Sequence, residues 1–182
     1  MWNRIAAIAL VALFLNGCGG KRPSAPYPPD QTPITVKSLA FAESAAIPKQ
    51  FTCDGENFSP PITWEGPRNG TVAWALIMED PDAPEGIWSH WVVANLPSAA
   101  SDLAAHQPLT PELANGRQGL NDFKRIGYGG PCPPGGTHHY VFRVFAVDAV
   151  LNLPPTFDRQ QLLDALKGHL VAEGKLTGTY SR

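Results

Sequence analysis

Between Glu79 and Trp91 the chain reads EDPDAPEGIWSHW, and farther along Gly127–Gly136 reads GYGGPCPPGG and runs directly into Thr137-His138-His139-Tyr140. Imidazole N–H, phenol O–H and glycine-rich backbone N–H are donors suited to an anion such as phosphate. His90, one of His138 and His139, Tyr140 and the glycine-rich backbone of 127–136 are therefore candidate anion ligands. The carboxylates of Asp80 and Asp82 would repel an anion, and they make sense one step behind it. An Asp that accepts from one ring nitrogen fixes the histidine tautomer and favours its charged form, leaving the other nitrogen for the ligand. An Asp of raised pKa can also donate directly, and the sequence does not choose between these roles. Asp80-Pro81-Asp82-Ala83-Pro84 alone is good turn chemistry, because Asp caps local N–H groups and Pro fixes φ. The case for a site rests on two loops each delivering imidazole. It includes the turn as the means of aiming Asp80 and Asp82 at His90.

Competing chemistries have weaker support. Asp80, Asp82, His90 and His138 are possible zinc ligands, but the chain lacks HExxH and paired-cysteine spacing, so no metal is assigned. There is no GxSxG elbow, and the adjacency of Ser89 and His90 in sequence does not make a nucleophile–base pair. Cys132, between prolines, fits a disulfide or a structural thiol better than a nucleophile. Neither a phosphate-binding P-loop nor a dinucleotide fingerprint is present, and no cofactor is expected. A hydrolase using Asp82 and His90 stands as an alternative to a binding pocket. His106 and His169 have no polar company in sequence and read as surface residues.

The elements that must position these groups are mostly strands. Ile34–Phe41 partly alternates. Thr71–Met78 and Trp91–Leu96 read as buried strands. Tyr140–Asp148 carries one charge, Arg143, before Asp148, and predicts a strand covered on both faces. If that strand begins at His138, then His138 and His139 point to opposite faces, and one of them faces the pocket. Asp158 caps a predicted helix with the stripe Leu162, Leu163, Leu166 and Leu170, stopped by Gly174. Leu176–Tyr180 reads as a short last strand. Thr110-Pro111 is a good N-cap and N1 pair for a second short helix. Nineteen prolines and seventeen glycines favour a loop-rich β architecture. The expectation is a mainly β fold, an antiparallel β-sandwich with peripheral helices.

The 182 residues suit one domain with additions at its ends. Net charge is -2, so there is no basic field for nucleic acid. Arg4 followed by the apolar run Ile5–Leu15 reads as a signal peptide over residues 1–17, too short for a stable bilayer span. Leu15-Asn16-Gly17-Cys18 resembles a bacterial lipobox, with Cys18 the lipidated residue. Ordinary secretion with a chance cysteine is the alternative. Gly19 in place of aspartate points to an outer-membrane anchor. Residues 18–33 are Pro/Gly-rich and read as a flexible tether, which leaves residues 34–182 as the folded domain. Cys53 and Cys132 remain; they form a disulfide in an oxidising compartment or stay as two buried thiols.

Asp80-Pro81-Asp82-Ala83-Pro84, His90-Trp91, Gly130-Pro131-Cys132-Pro133-Pro134 and His138-His139-Tyr140-Val141-Phe142, in that order, resemble the phosphatidylethanolamine-binding protein family. Cys53-Asp54-Gly55-Glu56-Asn57 with Ser59-Pro60-Pro61 resembles its bacterial Raf-kinase-inhibitor-like branch. The resemblance runs from Ile34 to Arg182. It implies a β-sandwich with peripheral helices and a small anion pocket lined by Asp80, Asp82, His90, His138 and Tyr140, with Gly130 and Pro131 on its rim. It implies a non-catalytic protein that binds phospholipid head groups or phosphorylated ligands, or one that inhibits a protease or kinase by binding it. His139 stands where the family has arginine. Tyr180 resembles a C-terminal family tyrosine. With the lipobox, these readings place the domain in the bacterial cell envelope, anchored through Cys18 on the periplasmic face of the outer membrane.

Overall fold

The computed structural model describes residues 33–182. The signal peptide assigned to residues 1–17, the lipidation site Cys18 and the tether up to residue 32 lie outside the described residues.

Six strands form the main antiparallel sheet in the order β6-β7-β4-β3-β8-β9, and three form a smaller one in the order β1-β2-β5. The main sheet contains β3 (Ala73–Asp80), β4 (Trp88–Pro97), β6 (Glu112–Leu113), β7 (Gly116–Gln118), β8 (Thr137–Val147) and β9 (Leu170–Ser181). The smaller one contains β1 (Thr35–Lys37), β2 (Ile62–Glu65) and β5 (Asp102–Leu103). Among the described residues the fold is mainly β, with one helix near the C-terminus, α1 (Arg159–Leu166), and one 3-10 turn at Lys49–Phe51.

Strand periodicity builds three layers, because alternate residues of β3, β4 and β8 face opposite ways. Trp74, Leu76 and Met78 of β3, Trp91 and Val93 of β4 and Phe142 and Val144 of β8 pack against Val36, Ile62, Trp64 and Leu103 of the smaller sheet. On the reverse face Ala75, Ile77, Val92 and Phe145 pack against Phe157, Leu162 and Leu166. All eight residues of β3 are buried. This is why Thr71–Met78 and Tyr140–Asp148 read as near-continuous apolar runs.

Several boundaries differ from expectation. The first strand is confined to Thr35–Lys37, and β3 runs on to Asp80. His90 and His138 lie inside strands and not in the loops before them. Asp158 caps α1 as expected, with a reciprocal Gln161 bond. The helix stops at Leu166, however, and Gly168 turns the chain at φ +81°. Leu170 therefore opens β9 and does not extend the helical stripe, and Gly174 lies within that long strand as a close-contact residue against Ile34. No helix starts at Thr110-Pro111. Thr110 Oγ1 donates to the Glu112 carbonyl, and Glu112–Leu113 folds back on Gly116–Gln118 as a hairpin.

Candidate functional site

The polar cluster forms where β3 ends, β4 begins and β8 begins. Asp80 is the last residue of β3, and His138 and Tyr140 lie near the start of the neighbouring β8. Asp80, 3% exposed, accepts through Oδ2 from His138 Nδ1 at 2.7 Å, and His138 is itself 7% exposed. Asp80 Oδ1 accepts from the Asp82 amide at 2.8 Å. Both carboxylate oxygens are thus committed to the protein, and the His138 proton is held on Nδ1. The nitrogen left free on His138 is Nε2.

A register shift aims His90. Met78 pairs with Trp91 and Glu79 with Ser89, so His90 is the extra residue of a β-bulge. Its Nδ1 donates to the Gly129 carbonyl at 2.6 Å, again leaving Nε2 free. Desolvation by burial pushes the His90 pKa below its ordinary 6.5, although the Gly129 carbonyl and Asp80 pull it back up. The ring stands edge-on to Tyr140 at 5.2 Å and to Phe123 at 5.3 Å. Tyr140 is fully buried, and its hydroxyl has no hydrogen-bond partner. Burial first, and then the nearby Asp80 charge, raise that phenol well above its usual range.

Asp80, His90 and His138 line one cavity of about 160 Å³, together with Ala83, Pro84, Trp88, Phe123, Cys132, Pro133 and Pro134. Trp88 and Phe123 were not singled out in the sequence. Trp88 Nε1 is a buried donor without a partner. Tyr140 does not line the cavity and reaches it only through its edge contact with the His90 ring. Asp82 does not join this wall either. Its carboxylate accepts from the His139 amide and from His139 Nδ1, at 2.8 and 2.7 Å, outside the cavity. The side-chain bond from His139, and then the backbone one, hold the Asp82 carboxyl below the usual range. His138 and His139 do face opposite ways, and the turn at Asp80–Asp82 aims one carboxylate at each. Neither Asp is aimed at His90, contrary to the sequence expectation.

Gly130 and Pro131, expected on the rim, do not line this cavity; Cys132, Pro133 and Pro134 of the same loop do. The Gly130 amide donates to Asn57 Oδ1 at 2.8 Å, and the Pro131 carbonyl accepts from the Cys53 amide at 3.1 Å. A Cβ on Gly130 would collide with the Phe51 carbonyl, so glycine permits this close approach. Cys53 and Cys132 are joined in a disulfide, with Cα atoms 5.4 Å apart, which ties the two loops together. Tyr180 pairs across the strands with His138 but does not line the cavity, and it donates to Asp54 Oδ2 at 2.9 Å. His169, expected to lack polar company, pairs with Asp148 at 2.8 Å on the surface, and His106 stacks on Phe58. Among the described residues no group of three His, Cys, Asp or Glu converges on a metal position.

The sequence profile for "Phosphatidylethanolamine-binding protein" matches residues 37–181. A "UPF0098 protein" of Methanothermobacter thermautotrophicus is 44% identical over 150 residues, covering 82% of this chain and 99% of its own length. A candidate lipoprotein of Mycobacterium tuberculosis, LppC, is 38% identical over 193 residues, covering 96% of this chain and 93% of that protein. Among solved structures, Escherichia coli YbcL, described as a member of the mammalian PEBP family, superposes with a TM-score of 0.76 at 30% identity, covering 82% of this chain and 98% of YbcL. The PEBP homologue CT736 of Chlamydia trachomatis gives 0.75 at 37% identity, with the same coverages.

Proposed function

The chain belongs to the phosphatidylethanolamine-binding protein family, and on that premise we propose that its His90–His138 cavity takes a phosphate-type anion, carried on a phospholipid head group or on a small phosphorylated ligand. One observation carries this reading. Both imidazoles commit Nδ1 to a protein acceptor and keep Nε2 free, on residues that line the same small cavity. Protonated, each would present a charge-assisted N–H to the ligand. The Trp88 ring contributes to the same wall. Asp80 acts from behind as the partner of His138, and Asp82 fixes the loop that supplies Ala83 and Pro84.

Binding fits this geometry better than hydrolysis. The hydrolase alternative required Asp82 beside His90, whereas the Asp82 carboxylate is bonded to His139 and His90 rests on a carbonyl. Lipid anchoring through Cys18 would hold the domain at an envelope membrane, on the periplasmic face of the outer membrane by the lipobox reading. The lipoprotein name of the Mycobacterium relative supports the anchor.

The test is thermal unfolding with inorganic phosphate and with phosphoethanolamine. A ligand at a hundredfold excess over its Kd stabilises by about 2.7 kcal/mol, a shift of several degrees. The shift should vanish in His90→Ala and in His138→Ala. No shift at millimolar ligand, or a shift undiminished in both variants, would overturn the reading.

A further inference from the structure

A second cavity, about 240 Å³, adjoins the first and is lined by Cys53, Asn57, Phe123, Arg125, Gly129, Gly130 and Cys132. The two share Phe123 and Cys132, so a half-buried aromatic ring and a disulfide sulfur are all that both walls have in common. The chemistry of the second cavity is one-sided. Its wall contains no carboxylate. Among the described residues the Arg125 guanidinium has neither an ion pair nor a hydrogen bond, whereas Arg117, Arg143, Arg159 and Arg182 have acidic partners and Arg68 donates to the Ser98 and Ala100 carbonyls. Asn57 is held by its Oδ1, which accepts from Gly130, and its amide NH2 carries no partner there. Asn57 sits at φ 61°, a left-handed backbone position that fixes where this amide is presented. The Gly129 amide is occupied by the His90 carbonyl. The side-chain polar groups left free are therefore donors, one of them a full positive charge. The first cavity, by contrast, has Asp80 in its wall and would repel a second anionic group.

We propose that Arg125 and Asn57 form a second anion subsite contiguous with the His90–His138 cavity, so that the ligand is a phosphorylated compound bearing a further acid group. This rests on the phosphate reading of the first cavity. The phosphate sits with the histidines, the chain of the ligand passes the Phe123 ring, and the second acid reaches the guanidinium. Such chemistry occurs both in an acidic phospholipid head group and in a free phosphorylated amino or hydroxy acid.

Isothermal titration of the full chain with two matched pairs of probes tests it. O-phosphoserine and phosphoethanolamine are monoesters that differ by one carboxylate; glycerophosphoserine and glycerophosphoethanolamine are the corresponding diesters. The serine member should bind about fivefold tighter, the yield of one partly exposed charge pair. Arg125→Gln should remove that preference and leave the ethanolamine affinity unchanged. Tighter binding of the diester pair identifies a lipid head group as the source, and tighter binding of the monoester pair a free ligand. Equal affinity of serine and ethanolamine probes, or a preference that survives Arg125→Gln, overturns the second subsite while leaving the first cavity standing. Failure of all four probes to bind overturns both.

Discussion

Because His90 donates Nδ1–H to the Gly129 carbonyl, its neutral ring offers only a lone pair at Nε2, which an anion cannot use. Burial holds the free-protein pKa below 6.5, so at pH 7 the ring is neutral before ligand arrives. An anion at Nε2 reverses this by favouring the imidazolium, so the complex has the higher pKa of the two states. Binding then takes up as much as one proton. Affinity is fully present below the free-protein pKa and falls as pH rises towards the pKa of the complex, by up to about tenfold per pH unit. The perturbation is His90→Gln, which keeps a donor of similar reach and removes the titration. The assay is calorimetric titration with glycerophosphoethanolamine, whose phosphodiester does not titrate between pH 5.5 and 8, in buffers of different ionisation heat. Wild type should show buffer-dependent proton uptake and a falling affinity profile, and His90→Gln a flatter one. His138 faces the same cavity with Asp80 behind it, so an unchanged slope in His90→Gln would move the proton to His138 and refute the assignment. No uptake and a flat profile in wild type would refute the reasoning altogether.

The same group makes the unliganded fold pH-sensitive. With its folded pKa depressed, His90 contributes stability that is present above 6.5 and lost as pH falls through the folded pKa, and urea titrations at pH 7 and 5 should show the loss in wild type and less of it in His90→Gln. Tyr140→Phe removes a buried hydroxyl that has no partner, so stability should hold or rise by about 1 kcal/mol in thermal unfolding; a fall of that size would mean the hydroxyl is bonded. Reducing the Cys53–Cys132 disulfide, which spans a sequence separation of 79, should lower unfolding stability by about 2–4 kcal/mol, read in urea with and without reductant. Glu79→Gln weakens a buried carboxylate that holds Arg143 of β8 at 3.2 Å and Arg159 of α1 at 2.7 Å; both arginines are partly exposed, so the cost should be about 2 kcal/mol.

The buried strands were legible because apolar runs bounded by turn residues leave few other solutions. The Asp158 cap was legible because its bonds are local. The errors arose where local signals were ambiguous. Leu170 continues the helical stripe of Leu162 and Leu166 in spacing, but Gly168 turns the chain and gives Leu170 to β9. Thr110-Pro111 has the form of a helix start, yet the hairpin at Leu113–Gly116 takes that segment into the sheet. At the site, residue types identified Asp80, His90 and His138 as one set. What placed them was not local. The bulge at His90 depends on how β3 pairs with β4, and the destination of Asp82 depends on which face of β8 carries His139. Trp88 and Phe123 look like ordinary core aromatics in sequence, and only the fold brings them to the cavity. The disulfide was undecided for the same reason: it requires the loops around Cys53 and Cys132 to meet.

The most direct measurement is a crystal structure of the protein grown with phosphoethanolamine. The account predicts the phosphorus between His90 and His138, with a phosphate oxygen within hydrogen-bonding distance of Nε2 on each ring and Asp80 still bonded to His138. A phosphate bound elsewhere, or a cavity left empty of it at saturating ligand, would contradict the account.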